Sequence, residues 1–147
     1  MVDVGSGTGS PGLPLAGALP DREFTLLDSN GRKCEFLRTF AGNLANVRVV
    51  QGRAEEQERD VYGVALAKAL AKPPVAAELT LPLVQEGGIA LIWAAASADP
   101  GTVARVAERL EAELESAHDG LLVLRKTGPT PPGFPRKAGL ARKRPLA

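Results

Sequence analysis

Three glycines alternate with small polar residues near the start of the chain, in the stretch DVGSGTGSPGLP, directly after a short apolar segment. Glycine permits positive φ angles and lets a ligand approach the backbone closely. A cluster with the spacing of Gly5, Gly7 and Gly9, placed between a strand and a helix, therefore predicts a ligand-binding loop.

Three classes of ligand are bound by loops of this kind. A Walker-type phosphate loop needs Gly-Lys-Ser/Thr at its end, whereas residues 10–12 here are Ser-Pro-Gly, which excludes that class. A dinucleotide loop needs a glycine at position 10, which is Ser10, and it usually opens a helix that receives a pyrophosphate. The remaining interpretation is S-adenosylmethionine, which carries no phosphate and requires only close approach to the backbone. A nucleotide-dependent oxidoreductase stays as an alternative.

An acidic residue, Asp28, ends the second apolar segment, 19 residues after Gly9. Nucleoside-binding folds place an acid at about this distance, where it accepts hydrogen bonds from ribose hydroxyls. The order of strand, glycine loop, helix, strand and acid favours that role. The alternative is a turn or helix-capping residue before residues 29–31.

The stretch GRAEE, residues 52–56, follows the third apolar segment. In this architecture the corresponding loop lies beside the adenine of a bound nucleoside. The same residues could instead be an exposed, acidic start of a helix, where glutamate suits the positive end of the helix dipole. The residues alone leave both interpretations open.

The chain has one histidine and one cysteine, and no nucleophilic triad is visible. His118 falls in a predicted turn and Cys34 on a predicted helix, so we assign neither a catalytic role. A single cysteine also excludes an internal disulfide and a multi-cysteine metal site. We expect no metal.

Apolar segments with strand character alternate with segments of helical period, which predicts an α/β domain with a mainly parallel sheet. A turn at residues 118–120 predicts a hairpin that adds an antiparallel strand at or near one edge. Residues 110–116 fit either the first strand of that hairpin or an extension of the preceding helix. The predicted strands are residues 2–4, 23–28, 46–50, 61–66, 89–93 and 121–126, and the predicted helices are residues 10–19, with Ser10 as cap, 31–44, 74–85 and 102–109.

The formal net charge of +1 conceals an uneven distribution of charge. Residues 1–124 hold 11 Lys/Arg and all 17 Asp/Glu, whereas residues 125–147 hold 7 Lys/Arg and no acid. A basic end on an acidic body is typical of polyanion binding, although it also fits a solvated, disordered end. The basic residues that could contact phosphates are Arg125, Lys126, Arg136, Lys137, Arg142, Lys143 and Arg144. We expect no regular core structure after Thr127.

The length of 147 residues suits one domain. No apolar run approaches the roughly 20 residues of a membrane span, and no signal peptide is visible, which predicts a cytoplasmic protein without membrane contact.

The sequence resembles the bacterial 16S ribosomal RNA guanine-N7 methyltransferases, the glucose-inhibited division protein B family. The resemblance rests on DVGSGTGSPGLPLA, TLLDSNGRKCEFLR, VVQGRAEE, ALAKALAKPPVAAELTLPLVQEGG and the ending LLVLRKTGPTPPGFPRKAGLARKRPLA. It implies a seven-stranded Rossmann-like class I methyltransferase fold and S-adenosylmethionine as cofactor. It further implies that the substrate is a guanine in the decoding-centre loop of 16S ribosomal RNA, in the small ribosomal subunit. We expect a monomer.

Several residues match the family's motifs by position. The residues that the resemblance assigns to the cofactor are Gly5, Gly7, Gly9 and Ser10 in the loop, Asp28 after the second strand, Ala54 and Glu55 beside the adenine, and Lys68. Lys68 stands where the family usually has arginine, and it lacks the planar fork of that side chain. Gly63 and Ala94 stand where many members carry aspartate and lysine.

The family also has a helical segment ahead of the glycine loop that this chain lacks. We therefore expect residues 1–127 to form an N-terminally truncated methyltransferase domain and residues 128–147 a basic tail. The alternative hypothesis is a catalytically inactive fragment that binds RNA weakly.

The chemistry that the resemblance implies makes modest demands on side chains. Guanine N7 carries a free lone pair and no proton, so methyl transfer to it needs no general base. Catalysis would then depend on proximity and orientation. Lys68 is the candidate for a charged group near cofactor and substrate, and the alternative is a solvated lysine, since Lys72 follows four residues later.

Overall fold

The computed structural model describes all residues, Met1–Ala147. Its strands form a single seven-stranded sheet with the order β3-β2-β1-β4-β5-β7-β6. The strands are β1 (Val2–Val4), β2 (Phe24–Asp28), β3 (Val47–Gln51), β4 (Tyr62–Ala67), β5 (Val84–Trp93), β6 (Ala112–His118) and β7 (Leu121–Lys126). The helices are α1 (Gly12–Ala18), α2 (Gly31–Ala41), α3 (Pro73–Thr80), α4 (Pro100–Glu108) and α5 (Leu140–Lys143). No helix is long and apolar enough to cross a bilayer.

Strands β1 to β5 pair in parallel, and β7 pairs antiparallel with both β5 and β6. Every residue of β1 and β2 is buried, as expected for the central strands of a parallel sheet covered on both faces. The chain runs outward from β1 to β3 and then returns to place β4 on the other side of β1. Right-handed crossovers therefore put α1 and α2 on one face and α3 and α4 on the other.

The larger part of the core lies under α3, α4 and α5, where 23 buried residues form one cluster. Ala141 of α5 belongs to that cluster, and Phe134 and Leu146 pack against it. On the opposite face Ala16, Phe24 and Leu66 form a smaller buried cluster, with half-buried Leu91 and Trp93 beside them. The α/β prediction with an antiparallel hairpin at one edge is confirmed.

Helix α1 begins at Gly12, so the prediction of Ser10 as its cap is wrong. A Cβ at position 12 would overlap Leu26 and would lie 2.7 Å from Oδ2 of Asp3. Glycine at this position lets the first turn of α1 rest directly on the sheet. This close packing brings the glycine loop against the ends of the central strands.

The predicted helix over residues 74–85 ends at Thr80, and β5 already begins at Val84. Pro82 explains the early end, because proline lacks an N–H group and obstructs the preceding helical turn. Gly88 belongs to β5 rather than ending a helix, and a Cβ there would lie 2.7 Å from the carbonyl oxygen of Gly63. The register between β4 and β5 shifts at this point, which hides the strand's alternation in the sequence.

Residues 112–118 are a strand, so the hairpin interpretation is confirmed and the helical one is wrong. The chain leaves the helical region at Glu111, whose φ is 52°. The apolar period of Val106, Leu110 and Leu114 continues across this point only because the side chains on both sides of it turn toward the same core.

The expectation of no regular structure after Thr127 is also wrong. Residues Leu140–Lys143 form a short helix, and Ala141 is 2% exposed within the main core. The basic end is therefore packed on the domain, and it is neither a free tail nor a separate unit.

A buried ion pair marks the point where this C-terminal segment leaves the sheet. Lys126, which is 1% exposed, donates from Nζ to Oδ1 of Asp60 at 3.0 Å and to Oγ1 of Thr130 at 2.9 Å. Thr130 in turn donates from Oγ1 to Oδ1 of Asp60 at 2.6 Å. Burial alone would raise the pKa of Asp60, but the hydrogen bonds from Thr130 and Lys126 outweigh it and hold that pKa below its usual value.

Asp60→Asn tests whether this cluster stabilises the fold. Asn tolerates the positive φ of 57° at this position, so the variant keeps the backbone while leaving the buried ammonium of Lys126 without a counter-charge. We expect the free energy of unfolding to fall by roughly 3 kcal/mol, the lower end of the range for a broken buried pair, because the side chain of Asp60 is 30% exposed. The measurement is urea denaturation at pH 7. The matched control is Glu115→Gln, which removes the partner of Arg125 from an exposed pair and should have little effect. Equal effects of the two variants would contradict this account.

Candidate functional site

The glycine loop lies at the carboxyl end of β1 and uses positive φ angles of 71° at Gly5, 57° at Gly7 and 98° at Gly9. Gly5 N–H donates to the carbonyl of Leu27 at 2.7 Å, which ties the loop to β2. A Cβ at Gly5 would lie 2.6 Å from Leu70, whereas a Cβ at Gly7 would meet no atom closer than 3.8 Å. Glycine at position 5 is therefore required by close packing against Leu70, whereas the half-buried backbone of Gly7 has open space beside it.

Asp28, the last residue of β2, is bonded directly to this loop. One carboxylate oxygen accepts from Gly7 N–H at 2.9 Å and the other from Asn30 N–H at 2.8 Å, and the residue is 7% exposed. A carboxylate can accept about four hydrogen bonds, so these two leave capacity for a pair of ligand hydroxyls. The hydrogen bond from Asn30 shows that Asp28 does stabilise the turn after β2. The same carboxylate keeps acceptor capacity that suits the hydroxyls of a ribose.

A pocket of about 210 Å³ opens beside Asp28, at the carboxyl ends of the parallel strands. It lies near the junction of β1 and β4, where the order in which strands are added to the sheet reverses. Open α/β sheets bind ligands at such a point. Its lining includes four of the residues predicted for the cofactor, namely Gly5, Asp28, Ala54 and Glu55, together with Lys33, Arg53, Leu70, Leu79 and Arg142. This size suits a nucleoside, and the donors and acceptors present fit the adenosine part of S-adenosylmethionine.

The second half of the predicted site is a 3-10 turn at Ala54–Glu56. Ala54 is 7% exposed and forms part of the pocket wall. Glu55 accepts a hydrogen bond at Oε1 from Gly139 N–H at 2.8 Å, so the acid also anchors the C-terminal segment. The sequence contained no signal for this second role, because the two residues are 84 positions apart.

Lys68 follows β4 and lies outside the pocket, across the glycine loop. Its side chain is exposed, and Nζ donates to Oγ of Ser10 at 3.4 Å. The structure therefore brings together two residues that were predicted separately. Gly9 has a packing role, because a Cβ there would overlap Leu13.

A buried acid that was not predicted from the sequence is bonded to the residue where the glycine loop meets α1. Asp3 lies within β1, is 1% exposed, and accepts at Oδ2 from Gly12 N–H at 2.9 Å. Burial, with the nearby charge of Asp28, raises the pKa of Asp3 to about 6, although the hydrogen bond from Gly12 and the charge of Lys68 oppose the change. An acid between two valines of an otherwise apolar strand was the signal available in the sequence.

Of the basic residues predicted to contact phosphates, some are buried or paired with an acid, and the others are exposed. Lys126 is buried, so its prediction as a phosphate contact is wrong, and Arg136 is held by Glu78 at 2.5 and 2.7 Å. Arg125 donates to Glu115 and to the carbonyl of Gly87. The exposed basic residues of the C-terminal segment are Lys137, Arg142, Lys143 and Arg144.

The histidine and the cysteine lie where a catalytic role is not expected. His118 is exposed in the β6–β7 hairpin, with only Asp119 as a charged neighbour. Cys34 is buried, its Sγ donates to the carbonyl of Asp28 at 3.3 Å, and burial raises the pKa of its thiol. A protonated, enclosed thiol is a poor nucleophile.

Asp3→Asn should change how stability depends on pH. A folded-state pKa of about 6, against an ordinary value of 3.8, means that protonated Asp3 favours the folded state at pH 4. This contribution is lost as the pH rises through 6 and amounts to about 3 kcal/mol. Asn keeps the acceptor for Gly12 and does not titrate.

We therefore expect the variant's stability relative to the natural chain to increase by about 2–3 kcal/mol between pH 4 and pH 7.5, measured by denaturant unfolding. Asp119→Asn, which removes a fully exposed carboxylate of the hairpin turn, is the control. A pH-independent difference for Asp3→Asn would contradict the assignment.

Comparison with solved structures identifies the fold. The chain superposes on M. jannaschii TYW2 in complex with AdoMet with a TM-score of 0.67 and 16% identity, covering 84% of this chain and 64% of that one. It superposes on the antibiotic-resistance methyltransferase Kmr with a TM-score of 0.68 and 16% identity, covering 86% and 85%. These similarities confirm the Rossmann-like class I methyltransferase fold.

Comparison of sequences identifies the family. A relative named ribosomal RNA small subunit methyltransferase G from Synechococcus sp. (strain JA-2-3B'a(2-13)) is 38% identical, and the match covers 99% of this chain and 63% of the relative. The protein of the same name from Rubrobacter xylanophilus is 36% identical, with 99% and 64% covered. The chain thus spans slightly less than two thirds of the length of these relatives. The family model for rRNA small subunit methyltransferase G (GidB) matches residues 1–117, and the chain belongs to that family.

Proposed function

We propose that this chain binds S-adenosylmethionine and transfers its methyl group to guanine N7 in the decoding-centre loop of 16S ribosomal RNA. Membership of the family supports the class of reaction, and the bond between Asp28 and Gly7 carries the assignment of the site. That bond holds an acid with spare acceptor capacity beside an open stretch of backbone. The proposed setting is a cytoplasmic monomer that acts on the small ribosomal subunit.

The proposed roles of the residues follow their positions around the pocket. Asp28 accepts hydrogen bonds from the ribose hydroxyls, and Ala54 and Glu55 form the wall beside the adenine. Gly7 lets the cofactor lie against the loop, and Ser10 with Lys68 lies near its methionine end. The cofactor supplies an electrophilic methyl group on a sulfonium ion.

No side chain needs to act as a general base, because guanine N7 carries no proton. This agrees with a site in which His118 lies in the β6–β7 hairpin and does not line the pocket, and in which Cys34 is enclosed. Asp3 is engaged with Gly12 beneath the loop, so its role is to position the backbone. Catalysis then depends on holding sulfur, methyl and N7 in line.

The proposed contacts with RNA come from three exposed basic residues of the C-terminal segment, Lys137, Lys143 and Arg144, with a smaller contribution from Arg125, whereas Arg142 lines the pocket. Phosphate contacts of this kind provide salt-dependent affinity with little choice of sequence. A target in a loop presents its base more openly than a target in a helix, since single-stranded bases can be turned outward.

The first experiment measures methyl transfer directly. The protein is incubated with radiolabelled S-adenosylmethionine and small ribosomal subunits that lack the modification, and the RNA is digested to nucleosides. We expect label in 7-methylguanosine. Absence of label with a folded protein that binds S-adenosylhomocysteine would reject the activity for this chain and favour the inactive-fragment hypothesis, and label in another nucleoside would reject the proposed target.

The second experiment tests Asp28 by calorimetric titration with S-adenosylhomocysteine. Asp28→Asn removes a charged acceptor, and hydrogen bonds to charged groups contribute about 1.5–3 kcal/mol, so we expect the Kd to rise roughly ten- to hundredfold. Asp21→Asn, in the exposed turn after α1, is the control and should bind as the natural chain does. Tight binding of NAD without a response to S-adenosylhomocysteine would instead support an oxidoreductase.

A further inference from the structure

The C-terminal segment from Arg136 to Arg144 crosses the edge of the cofactor pocket and is anchored there. At its start Arg136 forms a two-pronged ion pair with Glu78, which lies on α3 and is 3% exposed. The same guanidinium also donates to the carbonyl of Arg144 at 2.9 Å, which closes the segment into a loop around α5. The segment is thus held in one place on the domain.

Two further contacts join this segment to the pocket itself. Gly139 N–H donates to Glu55 of the adenine turn at 2.8 Å. Arg142 donates from its guanidinium to the carbonyl of Leu70 at 2.7 Å, and the side chain of Leu70 packs directly against Gly5 of the glycine loop. The segment is therefore bonded to two residues that line the pocket, Glu55 and Leu70.

Arg142 is also the one residue of the C-terminal segment that lines the pocket. Its bond to Leu70 uses one of the five N–H donors of a guanidinium, and the residue shares the pocket lining with Ala54, Leu79 and Asp28. Planar guanidinium groups stack on aromatic rings, which a lysine cannot do. Neighbouring Lys143 and Arg144 are equally basic, but neither lines the pocket.

We propose that Arg142 is a cofactor-binding residue, which closes the pocket over the adenine ring of S-adenosylmethionine and makes the C-terminal segment part of the cofactor site. The proposal rests on the proposed function, because it concerns the same cofactor. It separates Arg142 from the basic residues beside it, whose proposed partner is phosphate. One short helix then serves both ligands, with Arg142 toward the cofactor and Lys143 toward the RNA.

A consequence is that the two ligands affect each other's binding. A cofactor held by Arg142 restrains α5 and so restrains the position of Lys143 and Arg144. Coupling between two sites is reciprocal, so RNA bound to those residues raises the affinity for the cofactor by the same factor.

The experiment is calorimetric titration of the full chain with S-adenosylhomocysteine, using Arg142→Ala and the matched control Lys143→Ala. Both variants remove one cation from the same helix, and only the first removes a pocket residue. We expect the Kd of Arg142→Ala to rise about tenfold or more and that of Lys143→Ala to stay within about twofold. Arg142→Lys keeps a charge and a donor for Leu70 but lacks the planar group, and we expect its Kd to rise at least about threefold.

The outcomes distinguish this proposal from the function on which it rests. If the natural chain does not bind S-adenosylhomocysteine, the proposed cofactor is wrong and this inference falls with it. If the natural chain binds and both Arg142 variants bind equally well, only this inference is overturned. If Arg142→Ala lowers the melting temperature, a weaker Kd could come from lost stability. The Kd of Arg142→Lys for S-adenosylhomocysteine then decides whether this inference holds.

Discussion

The site depends on backbone N–H groups that are held by carboxylates. Gly7 donates to Asp28 and Gly12 donates to Asp3, so the middle of the glycine loop and the start of α1 are each tied to an acid of a central strand. A loop of glycine and small polar residues has few side chains with which to pack and a large conformational entropy to lose. The charged acceptors supply the order that side-chain packing cannot.

This arrangement has an electrostatic consequence. Burial, with a smaller contribution from the charge of Asp28, raises the pKa of Asp3 to about 6. Lys68 lies across the loop and partly offsets the negative charge. A bound cation at the loop would do the same, and S-adenosylmethionine carries one.

The C-terminal segment is ordered by buried charge in a similar way. Lys126 pairs with Asp60, and Arg136 pairs with Glu78, and in each pair at least one member is almost fully enclosed. Buried pairs of this kind gain little overall stability but strongly disfavour arrangements that separate the partners. The segment consequently follows one path across the pocket, despite a composition rich in proline, glycine and basic residues.

The sequence by itself determined the α/β class, the glycine loop, the acid after β2 and the turn of the edge hairpin, because each depends on local spacing, turn chemistry or apolar period. Tertiary structure decided the early end of α3, the strand character of residues 84–88 and the course of the C-terminal segment. It also decided which cations are exposed, since Lys126 and Arg142 both belong to the basic end of the sequence, but Lys126 is buried against Asp60 whereas Arg142 is exposed beside the pocket. Charge is a property of the residue, whereas burial and partners arise from contacts between residues as far as 84 positions apart.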